Sequence, residues 1–305
     1  MQRAKANNLT SISSGWNIIF LVILLLGTLL ILVPMALIII ISLSTQASIA
    51  NRGYSFFPEN LTLQAYKYLS QMGDQLLQSY TVTIFYSVAG TFLSLVLITT
   101  FAYVISQRNF RYARHLTWFI FFTMLFSGGL VPSYILQVRY LHINNTVWIF
   151  LLSGLANAYY IIILRTFIRT SIPGALFDAA RIDGAGYFTV FFRIVLPLLK
   201  AGIATVGLFS LISRWNDWFI GVLYVENPKL IPLQTMLYKL QDKIDFLKQN
   251  AGVAATPDGL ALLRSLPDQN LRMACTVIVI LPILFAYPFF QQFFVRGLTV
   301  GSIKE

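Results

Sequence analysis

Charge is scarce in this chain. Only 11% of its 305 residues are Asp, Glu, Lys or Arg, while 57% are hydrophobic. Soluble domains carry about a quarter charged residues, so the soluble two-domain protein that length alone would allow is excluded. Cysteine occurs once, at Cys275 inside an apolar run; it can form no internal disulfide and says nothing of compartment. The histidines, His115 and His142, fall in segments that the topology below places on opposite sides of a membrane, so neither a zinc site nor a His-based triad is expected. No glycine directly precedes a lysine. A Walker A phosphate loop is therefore missing, and the chain cannot hold ATP by that route.

Apolar sequence is what the chain has in quantity. Residues 16–43, 80–105, 116–135, 147–168, 201–225 and 273–295 form stretches matching the ~20 residues that cross a bilayer. The expected fold class is all-α, a membrane protein with six transmembrane helices. Residues 16–43 are too long for a signal-peptide core and no clear small-residue cleavage site follows, so they are expected to anchor the chain, kinked at Pro34. Gly128-Gly129 and Pro132 interrupt the third stretch. Residues 44–79 are polar, and the helical spacing of 61–77, with Tyr66 and Tyr68, suits a helix along the outer interface.

A formal charge of +11 could suggest nucleic acid. In a membrane chain, however, Lys and Arg collect at cytoplasmic helix ends, and no basic cluster is interleaved with a soluble fold. Nucleic acid is not an expected partner; the lipid bilayer is. Arg108, Arg111 and Arg114 crowd one short connection, and Arg165, Arg169, Arg181, Arg193 and Lys200 lie in or beside residues 171–200. The short loops on the other side hold only Arg52, Lys67 and Arg139. The long segment 226–270 is mixed in charge and weighs little in this rule. Both termini and residues 171–200 are thus expected in the cytoplasm of a multi-pass bacterial plasma (inner) membrane protein. No internal repeat of a two-halved carrier is found. Six spans are few for a complete solute path, so a companion chain is expected.

Residues 171–200 form the polar stretch on which this organisation turns. Ser171 suits an N-cap and Pro173 a first turn, which predicts a helix over 175–182. Leu176, Ala179, Ala180 and Asp183 would share one face of it. Asp183-Gly184 is a turn pair that ends the helix. A second amphipathic run covers 187–195, and Leu196-Pro197 breaks it.

Asp178-Ala179-Ala180, three residues, Gly184, nine residues, then Ile194-Val195-Leu196-Pro197 resembles the EAA loop of ABC-importer permeases, E-A-A-x3-G-x9-I-x-L-P. The run Ala179 to Ala185, A-A-R-I-D-G-A, resembles the expanded carbohydrate form of that loop. Asp178 stands where the family has Glu, one methylene shorter. The ending Phe294-Val295-Arg296-Gly297-Leu298-Thr299-Val300-Gly301-Ser302-Ile303-Lys304 resembles F-V-x-G-L-T-x-G-x-x-K of carbohydrate-importer permeases. Ser127 to Pro132, S-G-G-L-V-P, resembles a variant in permeases for polysaccharide fragments. The resemblance implies a transport subunit, not an enzyme, whose loop residues Asp178, Ala179, Ala180, Asp183, Gly184, Ile194, Leu196 and Pro197 couple it to a separate ATPase. It implies as partners a homologous second permease, two cytoplasmic ATPase subunits, an extracytoplasmic solute-binding protein and an oligosaccharide substrate, with ATP and Mg held by the ATPase and no cofactor in this chain. It implies residues 1–79 as an N-terminal tail, first span and outer segment, 80–295 as a five-helix core, and 296–305 as a cytoplasmic tail.

Arg214, Trp215, Asn216, Asp217 and Trp218 in the fifth stretch are the first candidates for the substrate path. Arg214 and Asp217 lie three apart, so on a helix they could pair, and intramembrane charges usually face a wet interior. An aromatic-belt position with a snorkelling arginine is the alternative. Asn157, Tyr159 and Tyr160 form a second candidate group, with packing as its alternative. Residues 233–246 have helical spacing and Thr256-Pro257-Asp258-Gly259 marks a turn, so the long outer segment is expected either to dock the binding protein or to stay an exposed loop. A stand-alone channel or ion-coupled carrier would need membrane acids along a path, and only Asp217 qualifies. A membrane-embedded enzyme would need a nucleophile–base or metal constellation, and none is present.

Overall fold

The computed structural model describes residues 14–249 and 269–301. The N-terminal basic residues Arg3 and Lys5, the turn at Thr256-Pro257-Asp258-Gly259 and the final Lys304 lie outside them. Among the described residues the chain is helical, with one isolated antiparallel bridge, Ser44 with Leu61. The chain divides into two compact units: Met1–Tyr68 with Arg264–Ile278, and Leu69–Leu263 with Val279–Glu305.

In the first unit α1, Ser14–Ser42, runs through Pro34 without ending. Within Gly15–Ser42 an 18-residue window reaches a mean hydropathy of 3.1, and most of the helix's side chains are exposed in this chain. Such a surface is stable only in lipid or against other apolar protein. The polar segment behind it is folded rather than loose. Thr45 caps α2, Gln46–Arg52, by accepting a hydrogen bond from the Ser48 N–H. Arg52 pairs with Glu59 at 2.9 Å, and the Tyr66 hydroxyl lies 2.8 Å from Ser42 Oγ. Tyr66 is therefore tied to the end of α1. The helix expected over 61–77 is in fact two: α3, Gln64–Gln71, and α4, which already begins at Gly73.

In the second unit α4, Gly73–Ser106, is the central element. Thirty-four residues make it about 50 Å long, well beyond the ~30 Å of a hydrocarbon core. It carries buried hydroxyls at Ser79, Thr83, Ser87, Thr91 and Ser94 on one side, small enough to let neighbours approach closely. Packed on it are α5, Ala113–Leu125; α7, Val147–Leu152; and α8, Ala158–Ser171, while α6, Leu130–Ile135, continuing through a π-turn at Leu136–Tyr140, joins α5 to α7. Then come α9, Gly174–Ile182; α10, Tyr187–Val190; a π-turn, Phe191–Val195; α11, Leu196–Leu198; and α12, Lys200–Trp215. Finally α13, Phe219–Tyr224, leads to α14, Leu233–Gln249; the last helix, α15, Gln269–Gly301, belongs to the first unit up to Ile278 and to the second from Val279.

Three of the apolar stretches are broken, the first of them at the Gly128-Gly129 pair that interrupts it in sequence. Gly129 at φ +88 separates α5 from α6, which turn by 111°. Gly154 at φ +66 and the Asn157 cap, whose side chain accepts from the Tyr160 N–H, separate α7 from α8. Asn216 to Trp218 separate α12 from α13. Among the described residues three helices are long and apolar enough to cross a membrane alone, and up to six segments qualify when bent pairs count as one.

Candidate functional site

The 171–200 loop is built as a rigid elbow. Ser171 ends α8 instead of capping α9; the N-cap position belongs to Pro173, which has no N–H and no side-chain acceptor. At the other end of α9 the Ala185 N–H donates to the Ala180 carbonyl at 2.8 Å and the Gly184 N–H to the Arg181 carbonyl at 3.0 Å. That pair of bonds, with Gly184 at φ +74, is a Schellman stop. It satisfies carbonyls that a helix end leaves open, and it fixes the direction in which the chain leaves α9. Phe177, Ala180, Val190 and Val195 pack into a core with Ile98, Ala102, Ile105, Leu164 and Ile168. The Tyr103 hydroxyl donates to the Tyr187 carbonyl at 3.0 Å, and its ring lies 5.0 Å from that of Phe191. The elbow is therefore packed against α4 and α8.

The expected shared face of α9 splits in two. Ala180 and Phe177 turn inward, three apart, while Leu176, Ala179 and Ile182 point out. Asp178 is exposed and only 3.8 Å from Arg181, a loose i,i+3 pair worth little in solvent. Asp183 is exposed at the C-cap. Ile194 and Leu196 are half-buried, and Pro197 lies on the surface. The helix does not break at Leu196-Pro197: it passes through the proline, helped by the preceding π-turn, and bends by 76° around Leu199. Sequence reasoning missed the outward apolar knob: Ile182 is 87% and Phe188 81% exposed.

The second place of interest is a cavity of about 130 Å³ between α4, the α7–α8 break and the end of α12. Asn157, Tyr160, Arg214 and Asp217, far apart in sequence, line it together. So do Tyr86, Ser153, Ser210 and Ser213, which sequence reasoning did not single out. The Ser153 hydroxyl is buried and finds no protein partner, which leaves it free for water or a ligand hydroxyl.

Arg214 and Asp217 do not pair as expected. The helix that would align them ends at Trp215. Arg214 instead donates to the Phe150 carbonyl at 2.7 Å and to Ser94 Oγ at 2.9 Å, passing over Gly90, where a Cβ would sit 2.6 Å from its Nη1. Its own carbonyl accepts from the Tyr86 hydroxyl. Asp217 accepts from the Ile220 N–H at 3.1 Å and so caps α13.

The remaining candidates lie elsewhere. Trp215 is buried, and its indole N–H donates to the Val279 carbonyl at 3.1 Å. Trp218 stacks on Tyr238 at 4.2 Å. Asn216 accepts from Gln234 at 3.2 Å, and Tyr159 is exposed beside Tyr160. None of these four lines the cavity. Among the described residues no cluster of His, Cys, Asp or Glu could hold a metal.

A helical, apolar chain whose long and broken helices enclose a small polar cavity, with a stiff polar elbow, has the make-up of a polytopic membrane transport subunit. Residues 110–300 match the family described as binding-protein-dependent transport system inner membrane component. Protein LplC of Bacillus subtilis (strain 168) is 36% identical over 275 residues, 90% of this chain and 89% of that protein. The polygalacturonan/rhamnogalacturonan transport system permease protein YtcP of the same organism is 32% identical over 281 residues, 92% of this chain and 95% of that protein. Among solved structures, a bacterial ABC transporter involved in the import of the acidic polysaccharide alginate contains a chain 29% identical to this one. The TM-score is 0.74, over 92% of this chain and 96% of that one. The chain belongs to the binding-protein-dependent transport system inner membrane component family.

Proposed function

We propose that this chain is the permease subunit of an ATP-driven importer of oligosaccharides, and that the α9–α11 elbow receives the force of a separate ATPase. The observation that carries the reading is the elbow itself. Asp178-Ala179-Ala180 and Gly184 stand on a helix locked by a Schellman stop, packed into the core on one side and offering Leu176, Ile182 and Phe188 on the other. Exposed apolar side chains on a charged connection are those a protein partner covers.

The spans are α1, α4, α5–α6, α7–α8, α12–α13 and the apolar part of α15, with both termini and the elbow inside. Residues 1–79 act as the anchoring arm, 80–295 as the five-helix permease core and 296–305 as the inner tail. Because Phe177 and Ala180 pack where Ile105 and Ile168 pack, closure of two ATPase subunits on ATP and Mg tilts α4 and α8, and alternating access follows. The cavity holding Asn157, Tyr160, Arg214 and Asp217 lies on the sugar path, completed by a second, homologous permease. The likeness to YtcP and to the alginate importer favours polysaccharide fragments, acidic ones included. On the outer side residues 226–270 meet the solute-binding protein; the start of α14 is anchored for this, with Leu233, Met236 and Leu237 buried.

The test is reconstitution. The complex purified from membranes and placed in vesicles with its binding protein should hydrolyse ATP faster when the sugar is added. Sugar uptake that proceeds without any nucleotide would refute the reading.

A further inference from the structure

We propose that the inner end of the α4–α5–α8 group holds the headgroup of an anionic phospholipid. Where α4 ends and α5 and α8 meet, a cleft of about 490 Å³ is lined by Arg108, Arg111, Arg114, Arg165 and Arg169, with Trp118 on its wall. Among the described lining residues none is acidic, and none of the five arginines takes part in an ion pair. Arg165 and Arg169 stand one helical turn apart on α8, a repulsive spacing for like charges. Arg165 is held in place by donating its ε N–H to the Ile105 carbonyl at 3.3 Å, which leaves the outer guanidinium nitrogens free to face the cleft. So dense a set of guanidinium groups around one cleft, none of them in an ion pair, fits a phosphate, which arginine binds through paired N–H donors.

The source of that phosphate is set by what adjoins the arginines. Trp118 lies one turn beyond Arg114 on α5 and is 63% exposed; Phe122 and Leu125 continue the same exposed ridge away from the charges. A free anion has no use for such a ridge, and an acidic protein segment would meet the arginines without it. A lipid uses both, with its headgroup among the arginines and its acyl chains along Trp118 and Phe122. Basic pockets between helices on the cytoplasmic side take anionic headgroups for this reason, and tryptophan marks the headgroup level. The inference goes beyond the transport role and borrows from it only the inner-side assignment of this end.

Native mass spectrometry of the full-chain complex, purified from membranes and exchanged into phosphatidylglycerol or phosphatidylcholine, tests it whether or not ATP is hydrolysed. Phosphatidylglycerol adducts should persist where phosphatidylcholine adducts are lost. Arg114→Gln with Arg165→Gln should cut retention about fivefold for each charge removed. Arg111→Gln, on the connection outside the helices, should cut it once without touching α5 or α8. Equal retention of both lipids, or unchanged retention in both variants, would overturn the proposal. Displacement of the adduct by inorganic phosphate would give the cleft to a soluble anion, and loss of an ATPase subunit with lipid retained would give it to a protein; either result overturns it too.

Discussion

Gly184 shows how much can rest on one backbone angle. Nothing lies within 4 Å of where its Cβ would be, so space does not require glycine there; φ +74 does. A branched side chain in that conformation costs about 1–2 kcal/mol, enough to reopen the Schellman stop. Gly184→Val should leave the chain in the membrane and abolish sugar-stimulated ATP hydrolysis, while Gly184→Asn, which tolerates the left-handed region, should keep most of it. At Gly90 the demand is the opposite one, for room. An added methyl meets the Arg214 guanidinium and pushes it off Phe150 and Ser94; hydrogen bonds to a charged group are worth about 1.5–3 kcal/mol each. Gly90→Ala should therefore lower the melting temperature of the purified complex as much as Arg214→Gln does. Asp217 separates two roles in one side chain. Asp217→Asn keeps the cap on Ile220 and removes the charge, whereas Asp217→Ala loses both, at about 1 kcal/mol for the cap. If the charge serves the sugar path, the two variants should raise the apparent KM alike and differ only in stability.

At the scale of elements, broken helices are the recurring theme. Trp215 illustrates the consequence. Read as part of a continuous span, it is a candidate for the substrate path. The helix ends there, and its indole is buried with its N–H on the Val279 carbonyl. Trp215→Ala should accordingly destabilise the complex by about 3–5 kcal/mol and leave sugar affinity in the surviving fraction unchanged, as thermal unfolding and binding assays would separate. The apolar runs made the all-helical membrane class legible, because lipid demands them whatever the backbone does inside. The break between α7 and α8 was hidden for the same reason: hydropathy does not register that Asn157 caps a new helix or that Gly154 turns at φ +66. The elbow was legible because Asp183-Gly184 is a local turn, although its faces were not. In a chain this apolar, Ile182 and Phe188 do not stand out as exposed until the packing of Phe177 and Ala180 is known. Asn157 and Arg214 could be chosen separately, but their convergence on one cavity is a tertiary fact.

For the whole molecule, size decides what a single chain can do. A cavity of about 130 Å³ holds a few waters and falls short of the ~300 Å³ at the lower end of ligand pockets, so if it lies on the proposed sugar path, one chain encloses only part of that path. Native mass spectrometry should find two permease chains in each assembly. The account's central claim is that force enters through α9. A cysteine placed at Ala179 or Phe188, after Cys275→Ser, tests this most directly by disulfide trapping in the purified complex. The account predicts a cross-link to a nucleotide-hydrolysing subunit whose yield changes on adding ATP and Mg. Labelling of the same cysteine from outside intact cells, with no such cross-link, would contradict it.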